Sequence, residues 1–95
     1  MELPKDSGIY LMRVPQCPQL VYVGQSKKSL LNRQRVHERD LRNGRDSRFL
    51  QAAYNLHKTM EYQLLLLCSS ERCDYWENFF IAAFRSWDRN FGYNI

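Results

Sequence analysis

SGIYLMRV at residues 7–14 and LVYVG at residues 20–24 each set a tyrosine beside a glycine within a short run of aliphatic, β-branched and aromatic residues. Between them lies PQCPQ, residues 15–19, whose two prolines cannot continue a hydrogen-bonded ladder. The two runs therefore read as a β-hairpin with a five-residue connection. Strand periodicity puts Ile9, Leu11 and Arg13 on one face of the first strand and Tyr10, Met12 and Val14 on the other. In the second strand Val21 and Val23 oppose Tyr22. Leucine or valine would fill a core as well as Tyr10 or Tyr22, so the phenols themselves need an explanation.

After Gly24 the period changes from two to three and four. Ser26 or Ser29 can cap a helix on which Leu30, Arg33, His37 and Leu41 share a stripe, and Gly44 ends it. A second, shorter helix fits Ser47 to about Lys58, with Phe49, Ala52, Ala53 and Leu56 on one side. EYQLLLLC, residues 61–68, reads as a strand, and its continuous leucines predict a central position buried on both faces. A last helix begins at Ser69 or Ser70 and runs to about Trp87, and FGYNI closes the sequence as a loop or short edge strand. The predicted order is β-β-α-α-β-α in an α+β fold, with residues 1–95 forming a single domain.

Composition bounds the function without naming it. With 44% apolar, 25% charged and 14% aromatic residues, the sequence is that of a globular protein. The opening MELPKDSGIY has no apolar run, so neither a signal peptide nor a membrane span is expected, and a cytoplasmic location is. Cys17, Cys68 and Cys73 lack the spacing of a zinc site or a disulfide framework. The net charge of +4 is concentrated. Residues 27–48 carry eight lysines and arginines against Glu38, Asp40 and Asp46, a local +5 that leaves −1 for the remainder. Such a basic segment suits a polyanionic partner as well as it suits a solvated helix face.

Polar residues stand where apolar ones are expected. Arg33 and His37, an i, i+4 pair, lie on the stripe between Leu30 and Leu41. On the last helix Cys73, Trp76, Phe80, Phe84 and Trp87 define a stripe that Glu77 interrupts. A buried arginine needs an anion and a buried glutamate a cation, which leaves open a Glu77–Arg33 ion pair, a divalent metal at Glu77, or a phosphate at Arg33. Two tyrosines, an arginine, a histidine and a glutamate from four elements are explained together by one shared polar pocket. Hard-oxygen metal ligation, a guanidinium for phosphate, and phenol or imidazole for proton transfer are what phosphodiester hydrolysis needs.

The motifs GIY (8–10), YVG (22–24), Arg33 and His37 as RxxxH, DLRNG (40–44), LQAA (50–53), ENFFI (77–81) and GYNI (92–95) occur in order along nearly all of the chain. This set resembles the GIY-YIG nuclease superfamily, most closely the catalytic domain of phage intron-encoded homing endonucleases. The resemblance implies a three-stranded antiparallel sheet flanked by helices. It also implies roles: Tyr10 as general base or partner of the attacking water, Tyr22 as a second phenol positioning that water, and Arg33 on the scissile phosphate. His37 would assist proton transfer, Glu77 would hold Mg²⁺ (or Mn²⁺ in its place), and Asn94 would orient the site. Whether Tyr10 or His37 is the ultimate base stays open, as does whether a metal, Arg33 or a hydrogen bond to His37 activates Tyr10.

The expected activity is thus a divalent-metal-dependent DNA endonuclease, with Lys27, Lys28, Arg35 and Arg39 contacting the DNA backbone. A nucleic-acid-binding module of the same fold without cleavage is the alternative. Since homing endonucleases continue beyond the asparagine matched by Asn94, sequence specificity is expected from a separate DNA-binding domain or a homodimer. Phe79, Phe84, Trp87, Phe91 and Tyr93 are expected in the core, with a dimer interface as the other reading.

Overall fold

β1 (Gly8–Arg13) is the middle strand of a three-stranded antiparallel sheet in the computed structural model, which describes residues 2–95. On one side it pairs with β2 (Tyr22–Ser26), Tyr10 standing opposite Gly24 and Met12 opposite Tyr22. On the other it pairs with β3 (Glu61–Leu67), where a register shift between Ile9 and Tyr10 leaves Leu65 as the extra residue of a bulge. The helices are α1 (Leu30–Arg42), α2 (Arg48–His57) and α3 (Cys73–Phe84), the last preceded by a 3₁₀ turn at Ser70–Arg72. The element order and the three-stranded antiparallel sheet expected from the sequence are those observed, apart from the place of β3 in it.

The alternation along β1 separates two apolar layers. Tyr10 and Met12 pack with Leu3, Leu30, Leu41, Leu50 and Tyr93 beneath α1 and α2. Ile9 and Leu11 pack with Val21, Val23 and Cys73, covered by Trp76, Phe80 and Ile81 of α3. The sheet is therefore sandwiched, and any pocket drawing on α1 and α3 together must lie where the two layers meet around β2.

Two expectations fail. β3 is an edge strand rather than the centre, and Leu64 and Leu67 are exposed. A run of leucines records that a strand is apolar; it does not record which neighbour pairs with both its edges. β1, buried along GIYLM, holds the central place. The aromatics of the closing third are not core either: Phe79, Phe84, Trp87 and Phe91 are 38–55% exposed, and of the five only Tyr93 is buried. α3 stops at Phe84, with Arg85 in the left-handed region at φ 56°, so Trp87 falls off the helical stripe that periodicity assigned to it.

α1 begins where expected. The Ser29 hydroxyl accepts from the Asn32 amide at 3.2 Å, while the Leu30 and Leu31 amides donate to Asp6 and Pro4 carbonyls. At the far end Gly44, φ +71°, turns the chain toward α2. Residues 92–94 run beside β2: Tyr93 N–H donates to the Val21 carbonyl and Val21 N–H to that of Phe91. Among the described residues no helix is long and apolar enough to cross a membrane.

Candidate active site

Gly24 opens the site. A Cβ built there would lie 2.3 Å from the Tyr10 hydroxyl oxygen, so the phenol of β1 reaches across β2 only because its cross-strand partner has no side chain. The Tyr10 hydroxyl then meets His37 Nε2 of α1 at 2.8 Å. Tyr22, entering from the facing strand, completes a cluster of three rings, its centroid 6.5 Å from Tyr10 and 5.6 Å from His37. Tyr10 and His37 are buried and Tyr22 is half-buried. On its other side His37 Nδ1 is 2.7 Å from Asp46 Oδ2, a carboxylate from the turn between α1 and α2.

Electrostatics keep the phenols protonated. Burial pushes the Tyr10 hydroxyl well above the ordinary phenol range, Tyr22 adds to this, and Arg33 offsets only part. Tyr22 is raised by burial as well, again against the pull of Arg33. Burial would lower the Arg33 guanidinium, but Tyr10, Tyr22 and Asp46 hold it above its usual value. Arg33 thus remains a fixed cation beside both phenols, at the exposed rim of the pocket. Burial therefore favours the protonated phenol at Tyr10, whose hydroxyl has His37 Nε2 in hydrogen-bond contact and Arg33 beside it.

Glu77 approaches from the other layer. One turn below Cys73 on α3, its Oε1 accepts from Gln25 Nε2 at 3.2 Å, and the same amide donates to Asp74 Oδ1 at 2.6 Å. No ion pair joins Glu77 to Arg33 among the described residues, and Glu77 acts on Tyr10 and Tyr22 through its field. The buried Gln25 Oε1 has no hydrogen-bond partner. Asp74 is held below the usual carboxylate range by Gln25 and by Lys27, whose Nζ is 3.2 Å from its Oδ2.

Two solved structures share this architecture. The catalytic domain of homing endonuclease I-TevI aligns with a TM-score of 0.80 at 29% identity, covering 93% of this chain and 96% of that one. A glutamate-to-alanine variant of the catalytic domain of intron endonuclease I-TevI aligns at 0.78 with 30% identity, covering 92% and 90%. The chain belongs to the GIY-YIG nuclease family. No family model matches the sequence, and none of the curated proteins does.

Within this GIY-YIG domain the tripeptides have physical reasons. Tyr10 of GIY and Tyr22 of YVG supply the hydroxyls, and the glycine of YVG admits the first across the second strand. Asn94 of GYNI is not in the pocket. Its Oδ1 accepts from Val23 N–H at 2.7 Å and its Nδ2 donates to the Val23 carbonyl at 2.8 Å, so one side-chain amide serves as a strand partner for the residue between Tyr22 and Gly24.

The basic residues singled out from the sequence are dispersed. Lys27 and Lys28 sit on the exposed connection from β2 to α1, where Lys27 pairs with Asp74. Arg35 pairs with Glu2 at 3.7 Å and Arg39 with Asp40 at 3.3 Å, on the side of α1 turned away from Arg33 and His37. Three residues of the site escaped sequence reasoning: Asp46, counted only as a counter-charge in the basic segment, and Gln25 and Asp74, which carry no pattern of their own.

For a divalent cation the donor set is suitable. The Glu77 carboxylate and the nearby Asp74, both faced by Gln25 Nε2, are hard oxygen donors, and Mg²⁺ is commonly held by one or two carboxylates with water and substrate phosphate filling the remainder. Among the described residues no group of three or more His, Cys, Asp or Glu side chains is placed to hold a metal ion.

Proposed function

We propose that this GIY-YIG domain hydrolyses DNA phosphodiester bonds with the help of one divalent metal ion. The observation that carries it is the 2.8 Å contact of the Tyr10 hydroxyl with His37 Nε2 inside a pocket that also receives Arg33 and, from the opposite layer, Glu77.

Tyr10 accepts a proton from the attacking water while passing its own to His37, a route that avoids the unfavourable free phenolate. Tyr22, half-buried beside both rings, orients the water with its hydroxyl. Arg33 at the pocket rim meets the scissile phosphate and neutralises charge that grows as the nucleophile adds. Glu77, with Gln25 and Asp74 beside it, would hold Mg²⁺ or Mn²⁺. When bound, the ion supplies Lewis-acid stabilisation of the leaving oxygen. Lys27 and Lys28 contact the backbone beside the pocket, and Arg35 and Arg39 add long-range attraction from the far side of α1. Sequence discrimination comes from a separate DNA-binding domain or a second copy, since the pocket presents groups for phosphate rather than for base edges.

Nicking of supercoiled plasmid in Mg²⁺, Mn²⁺ and EDTA, run beside Glu77→Ala, tests this. Metal-dependent nicking lost in a folded variant supports the assignment. A wild type that binds DNA and leaves it intact under every metal condition identifies a binding module instead.

A further inference from the structure

Asp46 is built into the site more firmly than a surface counter-charge would be. Its side chain is 7% exposed, and its two oxygens have separate partners. Oδ1 accepts from the Ser47 amide at 2.7 Å and Oδ2 faces His37 Nδ1 at 2.7 Å. The backbone is held too: Asp46 N–H donates to Gln51 Oε1 at 3.0 Å, and Gln51 Nε2 donates to the Leu41 carbonyl at 2.9 Å. Gln51 is itself buried, so α2 locks the turn against the end of α1.

An ionised carboxylate can only accept. With Oδ2 facing Nδ1, the imidazole hydrogen must reside on Nδ1, which leaves Nε2 as a lone pair aimed at the Tyr10 hydroxyl. The geometry points to Asp46 as a positioning residue that fixes His37 in its Nδ1–H tautomer and so makes Nε2 the acceptor of the Tyr10 proton. Its use in catalysis rests on the hydrolytic function proposed above; the tautomer does not.

The proton balance is simple. As water oxygen bonds to phosphorus, a water proton moves to the Tyr10 oxygen and the Tyr10 proton to His37 Nε2, forming an imidazolium paired with Asp46. The departing oxygen leaves with the electrons of the broken P–O bond, and the imidazolium later returns its proton to solvent. The charged groups facing His37 are Asp46, which stabilises the imidazolium, and Arg33, which opposes it; Tyr10 and Tyr22 face it as neutral phenols.

Asp46→Asn supplies an unusual test because the Ser47 amide biases how the new side chain lies. The Ser47 N–H, 2.7 Å from Oδ1, favours the amide oxygen at that position, with the NH₂ group turned toward His37. A donor then meets Nδ1, and the imidazole must move its hydrogen to Nε2, where Tyr10 can no longer donate.

The experiment is ¹⁵N NMR of the imidazole nitrogens at neutral pH in wild type and Asp46→Asn, with plasmid nicking and DNA affinity measured on the same samples. The expected result is Nδ1–H in wild type, Nε2–H in the variant, unchanged DNA affinity, and nicking slowed about 100-fold or more, the range typical for loss of general acid–base assistance. Nε2–H or a doubly protonated ring in the wild type overturns the proposal, and that spectrum needs no variant to fold. Wild-type nicking rates in a variant with a flipped tautomer also overturn it. If the wild type shows Nδ1–H yet never nicks DNA, the hydrolytic function fails while the tautomer assignment stands.

Discussion

The Tyr10 hydroxyl lies 2.3 Å from where a Cβ of Gly24 would be, with the ring carbon that bears it only 2.4 Å away. Both atoms belong to a rigid ring, so a methyl group at 24 cannot be accommodated by rotating a flexible tip. Gly24→Ala is expected to displace the phenol from His37, abolish nicking, and cost about 1–3 kcal/mol as overpacking. Urea unfolding and plasmid nicking on the same preparation check it; a wild-type rate would show that Tyr10 need not sit where it does.

Glu77 behaves differently. With no salt bridge to Arg33 among the described residues, its removal strands no buried cation, and Gln25 keeps Asp74 as a partner. Glu77→Ala should therefore change stability by less than about 1 kcal/mol while eliminating metal-dependent cleavage. A loss of about 3–5 kcal/mol would instead reveal a buried ion pair.

Asn94→Ala leaves both the N–H and the C=O of Val23 without their side-chain partner. A cost of about 1–3 kcal/mol is expected in urea unfolding. Activity should fall further than stability explains, because Val23 separates Tyr22 from Gly24. Asn94→Asp should be worse than alanine, as its carboxylate would face the Val23 carbonyl it now donates to.

The buried phenols give stability an alkaline limb. Tyr10, Tyr22 and Tyr62 all have folded pKa values raised by burial, so the folded state favours the protonated form. Their contribution is complete below the unfolded phenol value of about 10 and is lost as pH rises above it. Asp46 has the opposite sign. Although burial alone would raise it, the hydrogen bond from His37 and the Ser47 amide lower its folded pKa. Its contribution is present above the unfolded carboxylate value of about 3.9 and disappears as pH falls through the folded one. Urea midpoints against pH should fall at both ends; Tyr10→Phe should flatten the alkaline limb and Asp46→Asn the acid one.

The hairpin and first helix are legible in the sequence because each is specified locally: alternation in GIYLM, two prolines in the connection, a serine cap and a stopping glycine. Arg33 and His37 announce themselves as polar residues on an apolar stripe. Asp46 carries no such signal, since an acidic residue in a basic run looks solvated until the turn between α1 and α2 folds it back onto His37. The position of β3 is decided by the pairing of β1 on both edges, a long-range choice that four leucines in a row do not encode. The aromatics after Phe79 mislead for a related reason: helical spacing says which residues share a face, and nothing about what lies opposite it.

The amide clamp between Asn94 and Val23 spans 71 positions of sequence, and Glu77 is likewise remote from the hairpin it approaches. A nascent chain that has emerged only through α2 carries Tyr10, Tyr22, Arg33, His37 and Asp46, yet lacks both Glu77 and the clamp on β2. Contacts of such high sequence separation form late. If the domain cleaves DNA as proposed, partial translation products and fragments that end before α3 would lack Glu77 as well as the clamp and should leave nucleic acid intact.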